Sequence, residues 1–132
     1  MAYWGLGLAY EQKGMYPQAV TALEKAASLS GRDPNVLSSL GHVYAVTGRS
    51  KEAGRLIDEL VKQSREGYVS PYFFGLIAVG RGELDRAVAL LNQAADERST
   101  LLVYVRMDPR FVPVRSDPRF AALVRRLGFP TN

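Results

Sequence analysis

The sequence predicts an all-α fold of three consecutive helix hairpins followed by a C-terminal capping helix. Three observations predict it: the chain repeats itself every 34 residues, apolar side chains within each repeat recur at spacings of three and four, and a shorter duplication replaces the repeat after residue 97. A spacing of three and four puts side chains on one face of a helix, whereas a strand would alternate. The chain therefore consists of amphipathic helices.

The 34-residue period is carried by small residues. Three columns are invariant in all three copies: Gly7, Gly41 and Gly75; Gly14, Gly48 and Gly82; Ala19, Ala53 and Ala87. Glycine makes up about 7% of average sequence, so a column of three glycines arises by chance about once in three thousand columns. Larger apolar residues fill further columns, among them Leu6 with Leu40 and Tyr10 with Tyr44, and these are predicted to be core. We conclude that the repeat is genuine.

Each repeat divides into two helices at its second glycine. A glycine just past a helix end supplies the positive φ that closes a tight turn at no steric cost. Helix starts are indicated by Asp33-Pro34 and Ser70-Pro71, where an N-cap precedes proline, by Pro17, and by a cap at Ser50. The predicted helices span residues 3–13, 17–30, 35–47, 51–64, 71–80 and 84–97.

These residues resemble the tetratricopeptide repeat. The likeness lies in the run from Tyr3 to Tyr10, followed by Gly14, Tyr16 and Ala19, and it extends over residues 2–98. The resemblance implies a right-handed superhelical solenoid with repeats at about 1–34, 35–68 and 69–98, and a capping segment at 99–132. Leu60 and Ala78 depart from the pattern, and we expect looser or rotated helix packing in the second repeat.

The tail carries a duplication of its own. Asp108-Pro109-Arg110-Phe111 recurs nine residues later as Asp117-Pro118-Arg119-Phe120, and Asp before Pro is a helix-start pattern. From Asp117 a helix is predicted to run to a stop at Gly128. Ser99 is predicted to cap a short helix at 101–106. We expect the tail to pack on the third hairpin, because the end of a solenoid otherwise exposes its last apolar stripe.

Residues 87–129 further resemble the C-terminal end of tetratricopeptide arrays in bacterial multidomain signalling proteins, with the run from Arg115 to Phe120 as the most specific part. The resemblance implies a terminal sensory or docking portion of such a regulatory protein. Because Met1-Ala2 leads almost directly into helical sequence, we expect the chain to be a piece of a longer protein.

Composition excludes several classes of site. There is no cysteine, and His42 is the single histidine, so neither a thiolate site nor a histidine metal cluster can form. Ser38 and Ser39 share a predicted helix with His42 without a strained elbow, so we expect no enzyme activity, no metal and no cofactor. No apolar run is long enough to span a bilayer, and the expected location is the cytoplasm.

The concave face of the solenoid, lined by the first helix of each hairpin, is the predicted binding site. We expect it to hold a partner helix or extended peptide, with Trp4 and Tyr72 as anchors, because aromatic residues dominate interface energies. The predicted groove residues are Trp4, Leu8, Glu11 and Gln12; Ser38, His42 and Ala45; and Tyr72, Leu76 and Val79.

Alternatives remain open at this stage. Trp4 and Tyr72 are also typical of core positions, and His42 is compatible with a groove residue, a satisfied buried histidine or a pH-sensitive contact. The chain is a protein-interaction module, or else the structural or self-associating end of a longer array. The net charge of +4 is concentrated in residues 98–132, with seven arginines against two aspartates. Nucleic-acid binding by this tail is the weakest alternative, because its arginines form no continuous patch.

Overall fold

The computed structural model describes residues 2–128, and this range contains eight α-helices and no strand. The helices are α1 (Ala2–Gln12), α2 (Tyr16–Leu29), α3 (Pro34–Val46), α4 (Ser50–Glu66), α5 (Pro71–Gly80), α6 (Leu84–Asp96), α7 (Val112–Arg115) and α8 (Pro118–Arg126). Two short 3₁₀ helices, Thr100–Tyr104 and Pro109–Phe111, lie between α6 and α7. The all-α class is confirmed, and each predicted boundary of the six long helices lies within about two residues of the observed one.

The long helices pack in consecutive pairs: α1 on α2, α3 on α4 and α5 on α6. The chain forms two compact units, of which the first ends at Val69 and the second begins at Ser70. In the first unit α2 also packs on α3, so that one hairpin is layered on the next. In the second unit the tail elements pack on α5 and α6.

The three hairpin turns have one backbone conformation. Gly14, Gly48 and Gly82 have φ of +73°, +78° and +75°, as predicted for a residue just past a helix end. In each turn the next N–H donates to the carbonyl five residues back, for example Met15 N to Tyr10 O at 2.9 Å. This is the Schellman arrangement, which satisfies carbonyls that the helix end leaves free.

The N-cap predictions are partly confirmed. Asp33 accepts a hydrogen bond from Asn35 N and Ser70 from Tyr72 N, while Pro17 lies in the first turn of α2. The prediction that Ser50 caps α4 is wrong, because the helix already includes Ser50 and Arg49 occupies the cap position without a side-chain cap bond. The short turn between α3 and α4 explains the difference. Arg49 is the last residue of that turn and directly precedes α4, so Arg49 occupies the cap position and Ser50 is the first residue of the helix.

The small residues lie at the hairpin contacts. Ala19, Ala53 and Ala87 are fully buried. A Cβ added at Gly7 would lie 2.5 Å from Leu23 Cγ, so Leu23 would have to move to admit a side chain at residue 7. At Gly75 the nearest atoms would lie at 3.5 Å, an ordinary contact. The two α1 residues Leu6 and Tyr10, by contrast, are not buried: the core prediction is wrong for them.

The two Asp-Pro-Arg-Phe copies adopt the same local structure. Asp108 accepts from Arg110 N at 2.9 Å and Asp117 from Arg119 N at 2.8 Å, and each carboxylate also binds the guanidinium of the same arginine. The first copy begins a 3₁₀ helix and the second begins α8, which ends before Gly128 at φ +80°. The predicted helix at 101–106 is instead the 3₁₀ helix Thr100–Tyr104, and Ser99 makes no side-chain cap bond to it.

The tail covers the α5/α6 hairpin. Pro109–Phe111 packs on α5, while Thr100–Tyr104, α7 and α8 pack on α6. Phe111, Phe120 and Leu123 are buried. Burial of aromatic and branched side chains is the main stabilising contribution to such an end, at about 25 cal/mol for each Å² of apolar surface removed from water.

Candidate functional site

Seven of the predicted groove residues lie on α1 and α3 of the first unit, and we call this set the α1/α3 face. It consists of Trp4, Leu8, Glu11, Gln12, Ser38, His42 and Ala45. Two side-chain hydrogen bonds cross it. Trp4 Nε1 donates to Ser39 Oγ at 3.0 Å, and His42 Nδ1 lies 2.5 Å from Glu11 Oε2. These bonds connect the two helices at points that lie about two turns apart on α1 and about one turn apart on α3.

The Glu11 and His42 pair lies in the interior. Both side chains are almost completely excluded from solvent, and within residues 2–128 the second carboxylate oxygen, Glu11 Oε1, has no hydrogen-bond partner. Buried charge is tolerated when it is paired, so the pair acts as a polar cross-link between α1 and α3. Of the three roles considered for His42, the geometry favours a satisfied buried histidine.

The chemistry around His42 is not that of a nucleophilic or metal site. Ser38 Oγ donates to the carbonyl of Asn35, one turn earlier on the same helix. Across residues 2–128 no group of three or more His, Cys, Asp or Glu side chains is placed to hold a metal ion.

Other side chains of the α1/α3 face reach solvent. Trp4, Leu8 and Ala45 are half-buried and Gln12 is exposed. The indole of Trp4 is held by its bond to Ser39, so the ring is fixed with part of its surface uncovered. A rigid, partly exposed aromatic side chain loses little conformational entropy when it is covered by a partner.

The three predicted groove residues on α5 lie in the interior of the second unit. Tyr72, Leu76 and Val79 are at most 4% exposed. The ring of Tyr72 contacts Phe73 edge-on, with centroids 5.8 Å apart, and Phe111 at 5.6 Å. Burial raises the pKa of Tyr72 to about 12. The 3₁₀ helix Pro109–Phe111 packs on α5, and Phe111 contacts the ring of Tyr72 that was expected to face a partner.

An apolar pocket of about 520 Å³ lies on the other side of α1, where α1 meets α2. The pocket was not predicted from the sequence, because two of its α1 residues, Leu6 and Tyr10, were assigned to the core. We call it the α1/α2 pocket; α1 contributes Tyr3, Leu6 and Tyr10, and α2 contributes Pro17, Gln18, Thr21, Ala22 and Lys25. No signal in the repeat columns distinguishes it, because the side of α3 that carries the same columns is covered by α2.

Comparison with known proteins supports the repeat assignment. The tetratricopeptide repeat family matches residues 2–33 and again residues 34–59. These matches coincide with the α1/α2 hairpin and with α3 and most of α4, so residues 2–59 are tetratricopeptide repeats. The searches of curated proteins and of solved structures returned no match.

The matched family has two general properties. Tetratricopeptide repeats mediate contacts between proteins, and they are typically non-catalytic. Within residues 2–128, every helix is too short or too polar to cross a lipid bilayer.

Proposed function

Because residues 2–59 are tetratricopeptide repeats, we propose that the chain is a non-catalytic docking module that holds an apolar helix or peptide of a partner protein on its α1/α3 face. The observation that carries the proposal is the fixed, half-buried indole of Trp4, with Leu8 about one turn later on the same helix. Tryptophan is among the side chains that contribute most to interface energies.

The partner contacts fall on the first unit. Solvent reaches four of the groove residues: Trp4, Leu8, Gln12 and Ala45. Glu11 and His42 are buried and join α1 to α3 through a hydrogen bond. The remaining member of this face, Ser38, is buried. The site therefore selects mainly by apolar shape, with the amide of Gln12 as a polar contact at its edge.

We further propose that this module serves a bacterial regulatory protein. What supports this is the likeness of residues 87–129, and of the run from Arg115 to Phe120 above all, to the ends of tetratricopeptide arrays in such proteins. The tail then closes the array on α5 and α6, and the first unit carries the docking surface.

The test is a binding measurement on peptides selected from a displayed library against the intact chain. Each selected peptide is labelled and titrated by fluorescence anisotropy. We expect Trp4→Ala to weaken binding about 30-fold or more, which corresponds to a loss of about 2 kcal/mol. Trp4→Phe keeps most of the apolar surface and should lose less.

The matched control is Tyr104→Ala, which removes an exposed aromatic ring from the tail. Tyr72→Ala is unsuitable as a test, because truncation of a buried aromatic residue destabilises the fold itself by about 3 to 5 kcal/mol. If Trp4→Ala and Leu8→Ala bind the selected peptides as tightly as the unaltered chain does, the proposed site is wrong.

A second candidate function is self-association at the end of a longer array, which the partly exposed ring of Trp4 favours. It predicts a concentration-dependent dimer in sedimentation that Trp4→Asp abolishes. Nucleic-acid binding has less support, because Arg110, Arg119 and Arg126 are all engaged by aspartates of the second unit.

A further inference from the structure

The α1/α2 pocket has an internal counterpart in the second repeat. A shift of 34 residues places Tyr3, Leu6 and Tyr10 on Leu37, Leu40 and Tyr44 of α3. The spacing of three and four puts each trio on one side of its helix. Leu6 is 43% exposed, whereas Leu40 is 3% exposed. Equivalent side chains are thus covered on α3 and uncovered on α1.

The helix that covers the trio on α3 is α2. The two helices pack together, and Tyr44 Oη donates to Glu24 Oε1 at 2.7 Å. Beyond the end of α2, the guanidinium of Arg32 binds Glu59 of α4 through two hydrogen bonds of 2.7 and 2.5 Å. The interface is therefore an apolar stripe with a carboxylate opposite a tyrosine and an ion pair at its end.

The corresponding end of the α1/α2 pocket has the opposite charge. Lys25 takes the place of Glu59. A helix that docked on α1 as α2 docks on α3 would bring its residue equivalent to Arg32 towards Lys25. A basic residue there would be repelled, and an acidic one would be attracted.

Two further differences make this surface more apolar than its counterpart. Met15 takes the place of Arg49, whose guanidinium lies 4.6 Å from the centre of the Tyr44 ring. Leu29 takes the place of Gln63, whose amide donates to the carbonyl of Arg32. Both Met15 and Leu29 are exposed.

We propose that the α1/α2 pocket is a second docking surface, which takes an acidic amphipathic helix of another protein in the register in which α2 covers α3. The helix presents an apolar stripe to Tyr3 and Leu6, a carboxylate to the hydroxyl of Tyr10, and an acidic residue at its C-terminal end to Lys25. Because a second copy of α2 would bring Arg32 to Lys25, the charge disfavours self-docking in this register.

The probe is a peptide of residues 16–33 of this chain, the segment that already covers α3. Ala22 and Ala26, on the side of the helix opposite Glu24, are replaced by lysine and glutamate, and an amide bond between the two new side chains holds the peptide helical. Two versions are compared by anisotropy against the intact chain: the native sequence and Arg32→Glu. We expect the Arg32→Glu peptide to bind saturably and about 2- to 5-fold more tightly, the difference that an exposed ion pair makes.

Three variants of the chain locate the binding. Lys25→Glu should reverse the order of the two peptides, which no general loss of stability would produce. Leu6→Asp should weaken both peptides more than 10-fold, because it buries a charge in the apolar stripe. Val103→Asp, which replaces an exposed apolar side chain of the tail, should leave both affinities unchanged.

Several results would overturn the proposal. The first two are that neither peptide binds the chain, or that both peptides still bind Leu6→Asp as tightly as the unaltered chain. The third is that Lys25→Glu leaves the order of the two affinities unchanged. The fourth is that the chain forms a concentration-dependent dimer, which Leu6→Asp dissociates. The last result would make a second copy the occupant. Peptides selected on the α1/α3 face should respond to Trp4→Ala and not to Leu6→Asp, so the failure of one surface is separable from the failure of the other.

Discussion

Replacement of Gly7 by alanine tests whether close approach of α1 and α2 determines the first hairpin. The added Cβ would lie 2.5 Å from Cγ and 2.7 Å from Cδ2 of Leu23, a side chain with no exposed surface. Forcing extra volume into a packed core costs about 1 to 3 kcal/mol. Alanine in place of glycine within a helix by itself stabilises by about 0.5 to 1 kcal/mol. The balance is a net loss of up to about 2.5 kcal/mol.

The matched control is on the same helix. A Cβ at Gly5 meets no atom within 4 Å, so Gly5→Ala should show the propensity gain alone. Both variants share the gain in helix propensity, so their difference equals the whole cost of overpacking. The free energy of unfolding of Gly7→Ala should therefore lie about 1 to 3 kcal/mol below that of Gly5→Ala. Urea unfolding followed by the fluorescence of Trp4 measures both, since Trp4 is the single tryptophan and lies on α1.

A double variant identifies the contact responsible. Leu23→Ala alone should cost about 2 to 5 kcal/mol, because it opens a cavity. In combination with Gly7→Ala the cost should fall short of the sum by about 0.5 kcal/mol or more, since the new methyl group fills part of that space. Gly75→Ala should behave like Gly5→Ala, as its Cβ would have ordinary contacts. Equal stability of Gly7→Ala and Gly5→Ala would refute the close-approach argument.

Three further predictions concern polar contacts of the first unit. Burial, with a hydrogen bond to Glu24, raises the pKa of Tyr44 to about 12, so its contribution to stability is complete below about pH 10 and is lost as the pH rises towards 12; absorbance titration at 295 nm should show two late tyrosines, Tyr44 and Tyr72, of which Tyr44→Phe removes one. Glu11→Leu should destabilise by about 1 to 3 kcal/mol in urea unfolding, because it leaves His42 buried without its partner, whereas replacement of both residues by leucine should cost clearly less than the two single changes together. Asp33→Ala should cost about 1 kcal/mol by thermal unfolding and Asp33→Asn much less, since asparagine also caps; equal losses would contradict the capping role.

Features that depend on a few neighbouring residues could be predicted from the sequence. The turn at Gly14 needs a positive φ, and the helix start at Asp33 needs an acceptor before proline, so both are determined within one turn of chain. The prediction at Ser50 failed within the same range, because the turn of three residues between α3 and α4 ends at Arg49 and α4 already begins at Ser50. Local composition indicated a cap, but the length of the turn decided its position.

Features that depend on what packs from a distance could not be predicted. Leu6 and Leu40 share a column, yet only Leu40 has a helix laid over it. Tyr72 was expected to line a groove, but Phe111, 39 positions later, covers it. Periodicity identifies the apolar side of a helix and not the segment that will cover it. The hydrogen bond between Glu11 and His42 was not predicted for the same reason. Both residues were expected to line the groove, but the sequence pattern does not show which side chains of α1 and α3 contact each other.

The arginines of the tail show how sequence charge and surface charge diverge. Asp117 accepts both the backbone N–H and the guanidinium of Arg119, and these hydrogen bonds lower the pKa of Asp117 to about 2. Arg119 then extends to Asp85 of α6, and Arg126 binds Asp96 near the end of the same helix. The basic excess that first suggested nucleic-acid contact is thus partly neutralised by α6, and the arginines help to hold the cap on the hairpin. A docking partner with an acidic face finds its complement instead at Lys25, at the other end of the sequence.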